Sequence, residues 1–299
     1  QWNRVPKQAV DHVEILEGGG SSLYGNYAVG GVIQLFRRPI AERGFAGALS
    51  GGSRGAADAS LYGTAAHGAW GFSLGGDYGT GGGYTLLRPE QRGDVDRDSK
   101  VTRRSVDARV EYALSPGSRL FVSGDLFGDD RELGTDFASP NRRTIGSGVV
   151  GGSFGGVAGG RLDASVFGQS QRYDSRQSRV SADRSSESLA IAQSIPSRDL
   201  GGSLQWARSA GVFETVAVGG DARYMHGRLD ERVYDTSTPD PQNVPLGTRS
   251  SGGSQLVGGA FVQGVVAPAE PLRVEASARV DAWRSYDGSR SDRTGATPA

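Results

Sequence analysis

The chain has 299 residues, and its 33 basic residues balance its 33 acidic residues, which argues against the clustered basic excess of a nucleic-acid-binding surface. Cysteine is absent, which excludes a disulfide scaffold and cysteine-ligated metal sites. No apolar run approaches the roughly 18 residues that a membrane-spanning helix needs, so the sequence does not predict a helical membrane protein.

The first patterned region, residues 10–38, differs from the rest of the chain. An apolar-rich run over residues 10–17 precedes a triplet of glycines, and a second apolar run over residues 28–35 contains Gly30 and Gly31. Glycine permits positive φ and close approach of backbone segments. The region therefore predicts a strand, a glycine turn, a short compact segment and a second strand.

From about residue 44 onward, the hydrophobic pattern has a period of two. In the clearest runs, over residues 105–114 and 272–283, apolar residues alternate with charged or polar ones. Such alternation predicts strands with one apolar face. Further strands are predicted near residues 45–53, 58–66, 69–79, 119–128, 146–156, 161–171, 199–208, 213–225 and 254–266. The sequence thus predicts about eleven strands.

The connections between these strands alternate between short and long. The short links lie at 67–68, 115–118, 158–160 and 209–211, and long polar stretches, interpreted as loops, lie near 80–103, 129–144, 173–197 and 227–252. Bacterial outer-membrane barrels have short periplasmic turns and longer extracellular loops. The alternation therefore favours a membrane barrel.

Strand length and arginine placement separate a barrel from a soluble β-sandwich, which alternation alone leaves open. Strands of about ten residues match a tilted bilayer crossing, whereas globular strands usually have about five or six. Arg109, Arg273 and Arg279 all fall on the polar face. An arginine on the lipid face near the midplane costs about 2–4 kcal/mol. The sequence predicts an all-β fold, an antiparallel transmembrane β-barrel.

Residues 10–35 closely resemble the end of the plug domain of TonB-dependent receptors, with the approximate pattern V-x-x-I-E-V-L-(R/K)-G-P-x-S-x-L-Y-G-x-x-A-x-G-G-V-I-x-(I/L). The matching signature residues are Val13, Glu14, Ile15, Gly18, Gly20, Ser21, Leu23, Tyr24, Gly25, Ala28, Gly30, Gly31, Val32 and Ile33. Glu17 replaces the usual basic residue and Gly19 a common proline, without changing the spacing. The resemblance implies that residues 1–38 are the C-terminal part of a plug domain and residues 39–299 the N-terminal half of a barrel.

For the whole protein, the resemblance implies active uptake of a large, scarce solute, a ferric siderophore before any other class, across the outer membrane of a Gram-negative-type bacterium. The implied partners are the TonB–ExbB–ExbD inner-membrane complex, outer-membrane lipid and a ferric siderophore, cobalamin or similar ligand. No nucleic acid, cofactor, metal site or catalytic residue is expected. Family barrels have 22 strands around a plugged lumen. Because about eleven are predicted and no signal peptide or closing aromatic strand is found, the sequence is expected to be truncated at both ends.

Two other functions stay open at this point, a passive porin-like or structural barrel without TonB coupling and a soluble β-rich binding module of stacked sheets. Enzymatic signals are weak. Residues 151–155 fit G-x-S-x-G, but that motif requires a following helix, and His12, His67 and His226 are scattered. The run Asp94–Asp98 begins like a calcium loop but lacks its glycine and its final glutamate, which leaves a looser calcium site or a solvated charged loop.

Overall fold

The computed structural model describes residues 4–18, 28, 30–237 and 244–295. Two sheets form, and within each sheet every strand pairs antiparallel with the strands that precede and follow it in that sheet. A two-stranded sheet contains β1 (Val10–Glu17) and β2 (Gly31–Arg37). The large sheet contains β3 (Arg43–Gly51), β4 (Ala57–His67), β5 (Trp70–Tyr84), β6 (Ser99–Ser115), β7 (Ser118–Glu132), β8 (Asn141–Val157), β9 (Gly160–Val180), β10 (Glu187–Ala210), β11 (Phe213–Tyr234), β12 (Pro245–Ala269) and β13 (Leu272–Thr294).

The large sheet confirms the predicted all-β, antiparallel fold. Its eleven strands follow one another in sequence order as a single continuous sheet. Single-turn 3₁₀ helices lie at Lys7–Ala9, just before β1, and at Pro89–Gln91, between β5 and β6. No helix in the described ranges is long and apolar enough to span a membrane. The stacked sheets of a soluble binding module are likewise not found among the described residues.

The strands are longer than the sequence predicts, and the prediction of long loops was wrong over much of its length. Strands β9 to β13 have 21 to 25 residues each. Of the polar stretches near 173–197 and 227–252, only residues 181–186 and 235–244 connect strands. We call the middle part of the strands, where one face of the sheet is apolar, the apolar band. Beyond this band both faces of the sheet are polar, so the hydrophobic alternation stops although the hydrogen-bonded ladder continues.

The alternation of short and long connections is confirmed. Two-residue turns join strands at one end of the sheet, at 68–69, 116–117, 158–159, 211–212 and 270–271. The connections at the other end are longer, at 52–56, 85–98, 133–140, 181–186 and 235–244. Gly68, Gly117, Gly159 and Gly211 have positive φ. Glycine is favoured there because tight hairpin turns place residues in the left-handed region.

Strand register separates the large sheet into an apolar face and a polar face. One row of paired residues contains Val110, Val122, Val150, Val166, Gly202, Ala222, Gly258 and Ala282. A row on the opposite face contains Asp107, Asp125, Ser147, Gln169, Asp199, Met225, Gln255 and Ser285. The side chains of Val122, Val150 and Val166 stay more than half exposed. An apolar face that the chain leaves uncovered is the face that lipid covers in a membrane barrel.

Candidate functional site

The N-terminal segment, which comprises the described residues between 4 and 38, contacts the polar face through Arg4. The Nε of Arg4 donates to Asp125 Oδ2 at 2.7 Å, and its Nη2 donates to Asp125 Oδ1 at 2.9 Å. Arg4 also donates to Ser147 and Gln169 on the next two strands. The planar guanidinium matches a carboxylate in this two-point geometry. One arginine therefore ties the N-terminal segment to three neighbouring strands.

A second arginine of the segment, Arg37, forms an ion pair with Asp107 on β6. The Asp107 side chain is only 2% exposed, so its charge requires a cation beside it. Gly75 lies next to this pair on β5, and a Cβ there would approach within 3.4 Å of Pro6 and collide with the Asp107 carboxylate. The missing side chain at Gly75 thus leaves room for the Asp107 carboxylate that Arg37 contacts.

The two arginines of the N-terminal segment offset a repulsion between two carboxylates within the large sheet. Asp107 and Asp125 are direct cross-strand partners, and like charges in that position destabilise a sheet. Arg37 pairs with the first carboxylate and Arg4 with the second. Sequence reasoning missed all four residues, because strand register and the position of the N-terminal segment are needed to bring them together. The only signal for these residues in the sequence was the presence of charged residues on the polar faces of the predicted strands.

The predicted signature residues lie partly in the β1–β2 hairpin. Val13 pairs with Leu35, Ile15 with Ile33, Leu16 with Val32, and Glu14 with Gln34. Gly18 and Gly31 have positive φ, and a Cβ on Gly31 would lie 2.6 Å from the carbonyl oxygen of Leu16. Ala28 is buried and Gly30 adjoins β2. Gly20, Ser21, Leu23, Tyr24 and Gly25 lie outside the described residues.

Charge pairs continue along the polar face toward β13. Arg223 donates to Asp199 at 2.9 Å across β10 and β11. Arg279 lies between Asp221 and Asp281, at 2.6 and 2.8 Å. A Cβ on Gly259 would collide with this guanidinium, so the glycine leaves the arginine its path across β12. The predicted position of Arg109 and Arg279 on the polar face is confirmed by the register.

Three connections at the long-loop end of the sheet pack on one another and form a rim cluster, consisting of residues 94–97, 134–137 and 184–187. Arg184 donates to both oxygens of Asp96, at 2.5 and 2.8 Å. Arg97 contacts the second connection, where its backbone N–H donates to Gly134 O at 2.8 Å and its side chain pairs with Asp136. The backbone N–H of Phe137 donates to Glu187 at 3.0 Å. Ion pairs and hydrogen bonds thus hold three separate loops together.

The pKa values in this cluster reflect these contacts. The hydrogen bond from Arg184 lowers the pKa of Asp96 from 3.8 to about 2. Hydrogen bonds from the hydroxyls of Ser181 and Ser185 lower the pKa of nearby Asp183 to about 2 as well. Both carboxylates are therefore ionised throughout the physiological pH range.

The structure gives no support to the calcium-site alternative for Asp94–Asp98. Asp96, the middle carboxylate of that run, is committed to Arg184. In the part of the chain that the structure describes, no group of three or more acidic, histidine or cysteine side chains could hold a metal ion. Residues 151–155, which fit the hydrolase motif, lie inside strand β8 and are not followed by a helix.

Comparison with known proteins finds similarity in the fold and not in the sequence. No family model and no curated protein matches the sequence. The pyoverdine outer membrane receptor FpvA from Pseudomonas aeruginosa PAO1 is 15% identical, with a TM-score of 0.73 over 95% of this chain and 47% of that chain. The copper transporter OprC is 16% identical, with a TM-score of 0.69 over 96% and 46%. The ferric yersiniabactin uptake receptor FyuA from Yersinia pestis is 14% identical, with a TM-score of 0.68 over 95% and 48%.

The fold is that of TonB-dependent outer-membrane receptors. The chain spans about half the length of the receptors it matches. The matched structures are outer-membrane receptors and transporters and not enzymes. Within the receptor fold, the polar face with its docked N-terminal segment is the candidate functional site, and the rim cluster lies at the long-loop end of the same sheet.

Proposed function

We propose that this chain is the end of the plug domain, residues 1–38, and about half of the barrel, residues 39–299, of a TonB-dependent receptor. The receptor takes up a large, scarce solute across the outer membrane of a Gram-negative-type bacterium. The observation that carries the proposal is the docking of the N-terminal segment on the polar face through Arg4–Asp125 and Arg37–Asp107. A passive porin-like pore would leave that face to water.

The chemistry of this junction suits a plug that must move. An energised TonB–ExbB–ExbD complex would pull on the plug, and the contacts that break are mainly charged. When a carboxylate and a guanidinium separate on the solvated polar face of the sheet, water solvates both groups again. Partly exposed ion pairs therefore contribute only about 0–1 kcal/mol each to stability. An apolar junction would instead expose surface at a cost of about 25 cal/mol per Å². Arg4 and Asp125 are the partly exposed pair, whereas Asp107 is the buried anchor.

The proposal also accounts for the exposure of the β1–β2 hairpin. Val13, Ile15 and Ile33 are about half exposed or more, at 48%, 66% and 48%. Large apolar side chains on one short hairpin are normally buried. In a complete plug they would pack against its remaining part, and the signature residues would hold the turn between the two strands.

Ferric siderophores are the solute class that we propose, and it is supported by the receptors with the same fold. Two of the matched structures are receptors for pyoverdine and ferric yersiniabactin, whereas a third is a copper transporter. Uptake would be measured in cells whose only receptor is the complete protein, with a panel of ferric siderophores, cobalamin and copper, each radiolabelled on its own metal. Saturable uptake of a ferric siderophore that requires TonB is expected. Uptake that persists without TonB would establish a passive pore, and uptake of copper or cobalamin alone would overturn the solute class.

A reversible cross-link tests whether the N-terminal segment must leave the wall. Because the chain has no cysteine, Pro6→Cys with Gly75→Cys adds a single disulfide at a Cβ–Cβ separation near 3.4 Å, close to the ideal of about 3.8 Å. Both this pair and its control carry Asp107→Ala, which removes the carboxylate that the new Cβ of residue 75 would meet at 2.5 Å. Oxidation is expected to abolish uptake, and reduction should restore it. The control pair is Ser165→Cys with Ser203→Cys, whose hydroxyls lie 3.0 Å apart within the wall. Full uptake by the oxidised Pro6–Gly75 pair would contradict the proposal.

A further inference from the structure

The polar face carries a row of paired residues just beyond the contact of Arg4 with Ser147, toward the long-loop end. Register places Asp129, Arg143 and Tyr173 side by side in this row. Arg143 and Ser147 lie an even number of residues apart on β8, so both side chains point to the same face. A strand rise of about 3.4 Å at a tilt of about 40° separates their levels by about 10 Å. The row therefore borders the lumen immediately outside the docked N-terminal segment.

The guanidinium of Arg143 lies over the ring of Tyr173, 4.7 Å from the ring centroid. A cation over an aromatic face is attracted by the ring quadrupole, and stacking restricts the planar guanidinium to one position. Its Nε is buried and has no hydrogen-bond partner within the described residues. The two Nη groups are not buried in this way, so they remain able to donate toward the lumen. Tyr173 thus holds in place a guanidinium that the described part of the chain leaves without a hydrogen bond.

The other charges near Arg143 already have partners. Asp129 accepts from Arg131 Nε at 2.9 Å and is only 5% exposed. Arg103, on the other side of Asp129, donates to Asp58 at 3.2 Å. Within the described ranges, no carboxylate lies at ion-pair distance from Arg143. Arg143 therefore contributes a positive charge that its neighbours do not neutralise.

Apolar side chains adjoin this arginine on the same face of the sheet. Phe127 and Ile145 form the next row toward the N-terminal segment and are 4% and 0% exposed. Ile195 lies beside Tyr173 on the neighbouring strand. Charges attract more strongly beside apolar groups than in bulk water, because the local dielectric constant is lower. A guanidinium fixed on such a surface is suited to bind an anionic oxygen.

We infer that Arg143, positioned by Tyr173, binds an anionic oxygen of the solute, and that the solute is a ferric chelate with a net negative charge. Carboxylate and catecholate groups both supply such an oxygen. A ferric trihydroxamate is neutral, because its hydroxamates balance the charge of the iron. The inference rests on the proposed uptake function and narrows its solute class. TonB-dependent uptake of a neutral chelate alone would leave that function intact and would overturn the inference.

The test measures the binding of ferric citrate, a ferric tricatecholate and a neutral ferric trihydroxamate to the complete purified receptor in neutral detergent. We expect at least one anionic chelate to bind more tightly than the trihydroxamate, with an affinity that falls as salt rises. Arg143→Gln should weaken its binding about tenfold, the effect of losing a hydrogen bond between charged groups. Arg143→Lys should weaken it about threefold, because lysine keeps the charge but not the planar, stacked group.

The matched control is Arg142→Gln, which changes the adjacent residue on the opposite face, where Arg142 pairs with Asp130. Its binding of all three chelates should be unchanged. Tyr173→Phe keeps the ring and should retain most of the affinity, whereas Tyr173→Leu should lower it about threefold. The anionic chelate that binds identifies the oxygen as carboxylate or catecholate.

Three results would overturn the inference: tighter binding of the trihydroxamate, no binding of either anionic chelate, and unchanged affinity of the Arg143→Gln variant. Heat-dependent unfolding of each variant shows whether it folds. If Arg143→Gln unfolds at a lower temperature but binds the anionic chelates normally, Arg143 stabilises the receptor and does not bind the solute.

Discussion

The strands of this sheet pass through two environments, and the comparison shows how differently the same polar chemistry behaves in each. Within the apolar band, charges occur on the polar face, where Asp107 is buried and paired with an arginine of the N-terminal segment. Beyond the band, charges occupy both faces, and pairs such as Arg172–Asp174 are exposed to solvent. A charge in the band therefore depends on a fixed partner, whereas a charge beyond it depends on water.

The largest expected effect tests the buried pair within the band. Arg37→Gln leaves the Asp107 carboxylate without its cation and opposite Asp125. Breaking a buried pair from one side costs about 3–5 kcal/mol. The free energy of unfolding of the complete receptor, measured by denaturant titration, should fall by that amount. Arg37→Gln combined with Asp107→Asn should recover most of the loss, and an unimproved double variant would show that Arg37 stabilises by another contact.

A second pair of variants compares the two environments on the same face of the sheet. Val150→Arg places a cation on the apolar face within the band and should destabilise the barrel by about 2–4 kcal/mol. Ser194→Arg makes the same addition beyond the band, in the row that holds Asp174 and Asp230, and should cost nothing measurable. Heat-dependent unfolding of the purified receptor measures both. Equal destabilisation would place the membrane boundary beyond the row that contains Ser194.

The smallest effect concerns the rim cluster, where acid should separate the loops. The pKa of Asp96 is about 2 when paired and 3.8 ordinarily, so the contact is complete above about pH 4 and is lost as the pH falls toward 2. Spin labels at Glu90→Cys and Ala182→Cys should report a longer distance over that window. Arg184→Gln should give the long distance at every pH. Asp183→Asn is the control for the second carboxylate that titrates there.

The sequence predicted the strands and their faces well where the environment is uniform along a strand. Val106 to Leu114 alternates strictly, because one face meets lipid and the other meets polar groups over the whole run. Glycine at positions such as Gly117 and Gly159 marked the tight turns, since positive φ is a local requirement. The number of strands, their order and the side on which Arg109 and Arg279 lie were all within reach of such local reasoning.

The sequence did not predict how far the strands extend, and the reason is physical. Around Arg176 and Arg232 both faces of the sheet are polar, so no hydrophobic period distinguishes a strand from a loop. Only the pairing of Arg176 with Ala192 and of Arg232 with Thr248 keeps these segments extended. Such pairing depends on neighbours far along the chain, which a local pattern does not contain.

By itself, the sequence determined an all-β chain of about eleven antiparallel strands, the alternation of its connections and the resemblance of residues 10–35 to a plug signature. Only the tertiary structure decided which charges meet. Asp107 faces Asp125 because of register, Gly75 leaves space for the Asp107 carboxylate, and Arg4 and Arg37 reach the two carboxylates because the N-terminal segment lies against the polar face. Local patterns follow from the solvent on each side of a strand, whereas ion pairs between distant segments follow from how the whole sheet is aligned.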